Sequence, residues 1–93
     1  MAHWTFLSNH AHVLMLVCAE PDLRMREIAV RVDITERAVQ RIVSELVEEG
    51  YVRVEKEGRR NHYLPNLEAP LRHPLEAGAT IRHLLGALAS QAR

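Results

Sequence analysis

The spacing of hydrophobic positions along the chain shifts between helical and alternating, and each shift marks an element. Positions 13–18, "VLMLVC", are apolar in succession within "NHAHVLMLVCA". Ser8 or Asn9 can cap the start of that stretch and Glu20-Pro21 can stop it, so residues 9–19 read as a first helix. A helix apolar all round calls for cover on several sides, more than one small core supplies. Residues 23–25 suit a short extended piece. "REIAVRV", residues 26–32, then sets Ile28, Ala29 and Val32 on one helical face.

Asp33, Ile34 and Thr35 make a tight turn, with Thr35 a good cap for a longer helix over 36–49. Its apolar stripe is Val39, Ile42, Val43, Leu46 and Val47, and Gly50 offers a left-handed stop. From there the period changes to two. "YVRVE" alternates, "KEG" turns and "RRNHYL" returns, which predicts a β-hairpin over residues 51–64. Pro65, Pro70 and Pro74 then forbid a continuous helix. A last helix is expected over 75–90, opened by Pro74 and Glu76, with Ile81, Leu84, Leu85 and Leu88 on one stripe.

These elements give a mainly α chain with one small β-hairpin (an α+β class). At 93 residues the chain should be a single domain over 1–93 with one modest core. Composition adds that the core is aliphatic: hydrophobic residues are 47% of the chain but aromatic ones only 4%. Charge adds a constraint. Twelve Lys and Arg balance twelve Asp and Glu, so any attraction for a polyanion must be local, and a globally basic nucleic-acid coat is excluded.

The chemistry-bearing residues narrow the class further. Cys18 is the single cysteine, so no disulfide forms within the chain and a reducing, cytoplasmic location is expected. The apolar run 13–19 is too short to span a bilayer, and "MAHWTFLSNH" lacks the Lys or Arg of a secretory signal. No membrane partner is expected. His3, His10, His12, His62, His73 and His83 include no i, i+4 pair, and there is no thiolate cluster, so neither a metal nor a cofactor is expected. No nucleophile elbow or phosphate loop is present, and the chain is not expected to be an enzyme.

The order helix, short helix, three-residue turn, longer helix, Gly50 and hairpin resembles a winged helix-turn-helix with extra N- and C-terminal helices. "LRMREIAVRVDITERAVQRIVSELVEEGYVRVEKEGRRNHYLPN", residues 23–66, looks like the DNA-binding core of the ArsR/MarR-type transcriptional regulators. In that resemblance the helix-turn-helix covers 26–49 and the wing 51–64. Asp33 stands where that turn often has glycine, and Ala38 where an early polar residue often reaches a phosphate. The resemblance implies a regulator of transcription that binds double-stranded DNA, with the longer helix in the major groove.

With the apolar stripe inward, Glu36, Arg37, Gln40, Arg41 and Ser44 face out. Gln40, Arg37 and Arg41 suit major-groove base edges. Glu45, Glu48 and Glu49 fall in the half of the helix that a helix-turn-helix turns away from the bases. Arg59 and Arg60 sit at the hairpin tip, where they can straddle a phosphate backbone or enter a minor groove. The candidate DNA contacts are therefore Thr35, Arg37, Gln40, Arg41, Ser44, Lys56, Arg59, Arg60 and His62. Tyr63 is expected to pack between hairpin and helix. Trp4, Phe6, the all-apolar first helix and the stripe of the last one exceed the needs of one winged helix, which points to a homodimer through the terminal helices, with Gly78 and Gly86 allowing close approach. The neutral net charge keeps open another class, a winged-helix module that binds protein within a larger complex.

Overall fold

The computed structural model describes residues 4–89. Along the chain lie α1 (Asn9–Ala19), α2 (Met25–Val32), α3 (Glu36–Glu48), β1 (Val52–Glu57), β2 (Arg60–Pro65), a single 3-10 turn at Pro74–Glu76, and α4 (Ile81–Ala89). This is a winged helix: helices with one two-stranded antiparallel sheet.

Local chemistry sets each boundary. Ser8, and not Asn9, caps α1: its Oγ accepts from the Ala11 amide at 3.3 Å. The carboxylate of Glu27 accepts from the Arg24 amide at 2.8 Å and so satisfies a donor at the start of α2. That helix ends on Asp33, whose φ of 68° is left-handed. From there the amides of Asp33 and Ile34 both reach the Ala29 carbonyl, at 2.9 and 3.0 Å. Asp tolerates this backbone better than most residues, so the turn forms without glycine.

Thr35 caps α3 by accepting from the Ala38 amide at 3.0 Å. At the other end Gly50 takes φ 84°, the Gly50 amide reaches the Val47 carbonyl, and the Tyr51 amide reaches Leu46 at 2.8 Å. This is a Schellman stop. The wing follows with Val52 opposite Pro65 and Glu57 opposite Arg60, one residue beyond the expected 51–64 span. Gly58 and Arg59 alone join the strands. Gly58 at φ 66° supplies the positive angle such a two-residue turn needs at its first position.

The core gathers Val13, Leu14 and Val17 of α1, Ile28 and Ala29 of α2, and Val39, Ile42, Val43 and Leu46 of α3, closed by Val52, Tyr63, Ala69 and Ile81. Tyr63 is 1% exposed and packs as expected. Val47 departs from the expected stripe, being 40% exposed. It lies at the edge of the apolar arc, where the 3.6-residue period carries it past the contact.

The last helix is a correction. It starts at Ile81 rather than at 75, and position 90 lies outside the described residues. Pro74 opens only a single turn, because Ala77 is extended and Gly78 takes φ 92°. The true start is a reciprocal cap. The Thr80 amide donates to His83 Nδ1 at 3.0 Å, and the His83 amide donates to Thr80 Oγ1 at 3.4 Å. The first free amides of α4, Ile81 and Arg82, go to the carbonyls of Ala69 and Leu67 at 2.9 and 2.8 Å. A Cβ placed at Gly78 or Gly86 meets no atom within 4 Å beyond its chain neighbours and its own helix backbone, so neither serves a close approach to another element within the described chain.

Ile42 and Val47 separate core from margin on one helix. Ile42→Ala should cost about 2–5 kcal/mol through a cavity, whereas Val47→Ala should stay within about 0.5 kcal/mol. Urea unfolding checks this as a large midpoint shift for Ile42→Ala alone, at unchanged slope.

Candidate nucleic-acid interface

Because the Val39–Ile42–Val43–Leu46 face of α3 is buried, the opposite face is solvent-exposed. Arg37, Gln40, Arg41 and Ser44 all lie on it, with Thr35 exposed at its start. Arg37 and Gln40 make no side-chain bond among the described residues. Arg41 leans toward Glu45 one turn on, at 3.5 Å. The same Glu45 oxygen lies 2.6 Å from His10 Nε2 on α1. The hydrogen bond from His10, with the Arg41 charge beside it, holds the Glu45 carboxyl below the usual carboxylate range. Glu49 pairs with Arg72 at 3.6 Å. The acidic half of α3 is thus partly engaged by other elements, and of the two arginines in its first half Arg37 is left without a partner.

The register of the wing sorts its side chains. Val52, Val54, Lys56, Asn61, Tyr63 and Pro65 share one face; Arg53, Glu55, Glu57, Arg60, His62 and Leu64 share the other. Arg59 occupies the outer position of the turn. It is exposed and forms no ion pair among the described residues, and the same holds for Lys56. Arg60 and His62, expected to face a ligand, also bond to the α1–α2 loop. Arg60 donates to the Asp22 carbonyl at 3.1 Å, and His62 Nδ1 lies 2.8 Å from Asp22 Oδ1. That bond to Asp22 raises the His62 pKa above the ordinary imidazole value, against the opposing cost of burial and with Glu57 and Glu55 adding to the rise.

The distribution of ion pairs is informative. Arg31, Arg41, Arg53, Arg72 and Arg82 each have a carboxylate partner. The described Lys and Arg side chains without one are Arg24, Arg26, Arg37, Lys56, Arg59 and Arg60. All six belong to the start of α2, the start of α3 or the wing. Arg24, Arg59, Arg60, Asn61 and Asp22 line one concavity of about 310 Å³ between the start of α2 and the wing. Sequence reasoning missed Arg24 and Arg26. The available signal was electrostatic: a helix N-terminus disfavours cations, so two arginines there stand out from the usual pattern.

Cation-binding chemistry is thin. Asp22, Glu57 and His62 are the one group of three or more His, Cys, Asp and Glu among the described residues with donor atoms within 4.8 Å of one another. Both acids are exposed and one is already closed onto His62, so the group is an ion-pair cluster. Cys18 is half-buried, and burial pushes its thiol up to about 11, which leaves little thiolate for metal or redox chemistry at neutral pH. Among the described residues no helix is long and apolar enough to cross a membrane.

Comparison with known proteins follows this geometry. Among solved structures, the zinc-dependent MarR-family transcriptional regulator AdcR is 26% identical, with a TM-score of 0.54 over 71% of this chain and 47% of its own. The PcaV regulator of Streptomyces coelicolor is 21% identical, with a TM-score of 0.56 over 94% of this chain and 63% of its own. The M. tuberculosis regulator MosR is 18% identical, with a TM-score of 0.54 over 92% and 64%. The last two speak for the fold alone, and this chain spans about half to two thirds of the length of these regulators. A comparison with curated proteins finds no match. The MarR-family model matches residues 5–60, which takes in α1, the whole helix-turn-helix and the wing through its tip. The chain belongs to the MarR family.

Proposed function

We propose that the protein is a transcriptional regulator that binds double-stranded DNA, with α3 in the major groove and the wing tip on the phosphate backbone. The observation that carries this reading is the segregation of its unpaired cations. Exposed ion pairs contribute little stability, but they cancel field locally. The described cations without a carboxylate partner cluster at the start of α2, the start of α3 and the wing, where their charge is left for a ligand on a chain of zero net charge. A duplex is the polyanion that a winged helix can engage with both elements at once.

Residues take different jobs in this reading. Gln40, Arg37 and Arg41 read base edges, with Arg41 leaving Glu45 to do so; Ser44 and Thr35 flank them. Arg59 and Lys56 contact phosphate from the wing, and Arg24 and Arg26 do so from the start of α2. Arg60 gives one of its donors to Asp22 and has others left for the backbone. Cytoplasmic location and the lack of catalysis go with this role. No cofactor is required for it.

A homodimer completes the proposal. Trp4 and Phe6 pack edge to face 5.0 Å apart yet remain 68% and 92% exposed. An open apolar groove of about 770 Å³ runs between α1, α2 and α4, lined by Met15, Leu16, Cys18, Val32, Leu85 and Leu88 among others. A second copy covering the terminal helices would bury what one chain leaves open. Its half-sites would lie about 34 Å apart.

Selection of duplexes from a random pool supplies the ligand for two tests. Ala at Gln40 or Arg41 should cost about 1–3 kcal/mol on the selected site and less on scrambled DNA. Arg59→Ala should weaken both alike and flatten the log–log salt slope by about one. Anisotropy against salt reads both. If none of these changes alters binding, the open cations are a solvated surface and the protein-interaction reading takes over.

Replacing Leu84 and Leu88 together with Glu should convert the dimer to a monomer by light scattering, or unfold it if the dimer is obligate. A wild-type protein already monomeric at micromolar concentration contradicts the dimer.

A further inference from the structure

The α1–α2 loop touches β2 at successive points. Tyr63 donates its amide to the Pro21 carbonyl at 3.1 Å. Arg60 donates to the Asp22 carbonyl at 3.1 Å, and His62 Nδ1 lies 2.8 Å from Asp22 Oδ1. Pro21 and Asp22 thus hold the outer edge of β2, whose other edge pairs with β1. The buried anchors of the wing, Val52 and Tyr63, lie toward its base. Past them, Lys56, Glu57, Gly58 and Arg59 are all exposed. An isolated two-stranded ribbon holds its shape poorly, and from His62 to Arg59 it runs about 10 Å. The bonds from the α1–α2 loop that lie nearest the tip are those of Asp22 with Arg60 and His62.

We propose that His62 and Asp22 are positioning residues for DNA binding. Their pair clamps β2 to the α1–α2 loop and so sets where Arg59 meets the phosphate backbone, most firmly when the imidazole is protonated. This rests on the DNA-binding reading above. It gives His62 a role through Nδ1, which lies against Asp22, and the test below separates that role from a phosphate contact through Nε2.

The surroundings set the sign of the pH response. Asp22 faces His62 from the loop, Glu55 stands opposite it on β1, Glu57 lies two pairs nearer the tip, and Arg60 shares its strand face. Arg24 and Arg59 border the adjoining concavity. The carboxylates dominate this set, and the His62 pKa is raised accordingly, first by the bond to Asp22. A raised folded pKa means that the charge-assisted clamp is complete below the ordinary imidazole value of about 6.5 and is lost as pH rises through the raised one. The His62 side chain is 28% exposed and that of Asp22 60%, so the effect is modest.

The test is anisotropy on the selected duplex between about pH 5.5 and 8.5 at fixed ionic strength. It uses wild type, His62→Gln, Asp22→Asn, Arg59→Ala and the Arg59→Ala/His62→Gln pair. Wild-type affinity should fall by up to roughly five-fold as His62 deprotonates. His62→Gln and Asp22→Asn should bind more weakly and lack that step, and His62→Gln should lose most of its effect once Arg59 is gone. Asp22→Asn is the sharpest arm: removing a negative charge near DNA strengthens binding by Coulomb attraction alone, whereas loss of the clamp weakens it. Asp22→Asn binding as tightly as wild type overturns the proposal. So does a full His62→Gln effect in the Arg59→Ala background, which would make His62 a direct phosphate contact. If wild type binds no duplex from the pool, the DNA-binding reading fails on its own. The clamp is then judged by amide exchange: the Tyr63 amide should exchange faster, relative to the β1–β2 ladder, in both single variants. An unchanged ratio overturns it.

Discussion

Burial of the Val39–Ile42–Val43–Leu46 face fixes the rotation of α3 about its own axis, and that rotation decides which side chains can meet a ligand. Against it stand Val13, Leu14 and Val17 of α1, Ile28 and Ala29 of α2, and the wing residues Val52 and Tyr63. Each fully buried aliphatic or aromatic side chain contributes about 1.5–3 kcal/mol, far more than any single exposed ion pair on the opposite face. Turning α3 to hide Arg37 or Gln40 would forfeit several such contributions. The outward set is thus imposed by the core, and its chemistry is free to vary for recognition.

The wing is held by weaker means and is correspondingly adjustable. Its base is tied into the core and its turn is as short as a hairpin permits, but its direction depends on polar contacts with Pro21 and Asp22. Net charge says nothing about this division. Five acids pair with Arg31, Arg41, Arg53, Arg72 and Arg82, and the described cations left without such a partner lie at the helix-turn-helix and the wing. A neutral chain can in this way present a local positive surface.

Most of the helix-turn-helix was legible because its signals are local. Thr35 as a cap, Gly50 as a stop and the helical period of the stripe each act within one or two turns. Asp33 in place of glycine was readable from its tolerance of a left-handed backbone. The start of α4 was not, because Pro74 is a valid opening signal that Gly78 cancels after one turn, and the Thr80–His83 cap uses histidine as the returning partner. Val47 sits where a period of 3.6 leaves the arc ambiguous. For the candidate site, the outward face of α3 and the exposed Arg59 followed from period and turn geometry. The bonds of Arg60 and His62 to Asp22 did not, since Asp22 is 38 and 40 residues away in sequence. Arg24 and Arg26 were visible only as cations at the wrong end of a helix.

The central claim, that duplex DNA is bound by the outer face of α3 together with the wing tip, is tested most directly by a two-dimensional amide NMR titration with a selected duplex. The account predicts shifts concentrated at residues 24–26, 35–44 and 56–60, with the buried face of α1 and the groove side of α4 quiet at equal protein concentration. Shifts confined to α1 and α4, or none at saturating duplex, would contradict it.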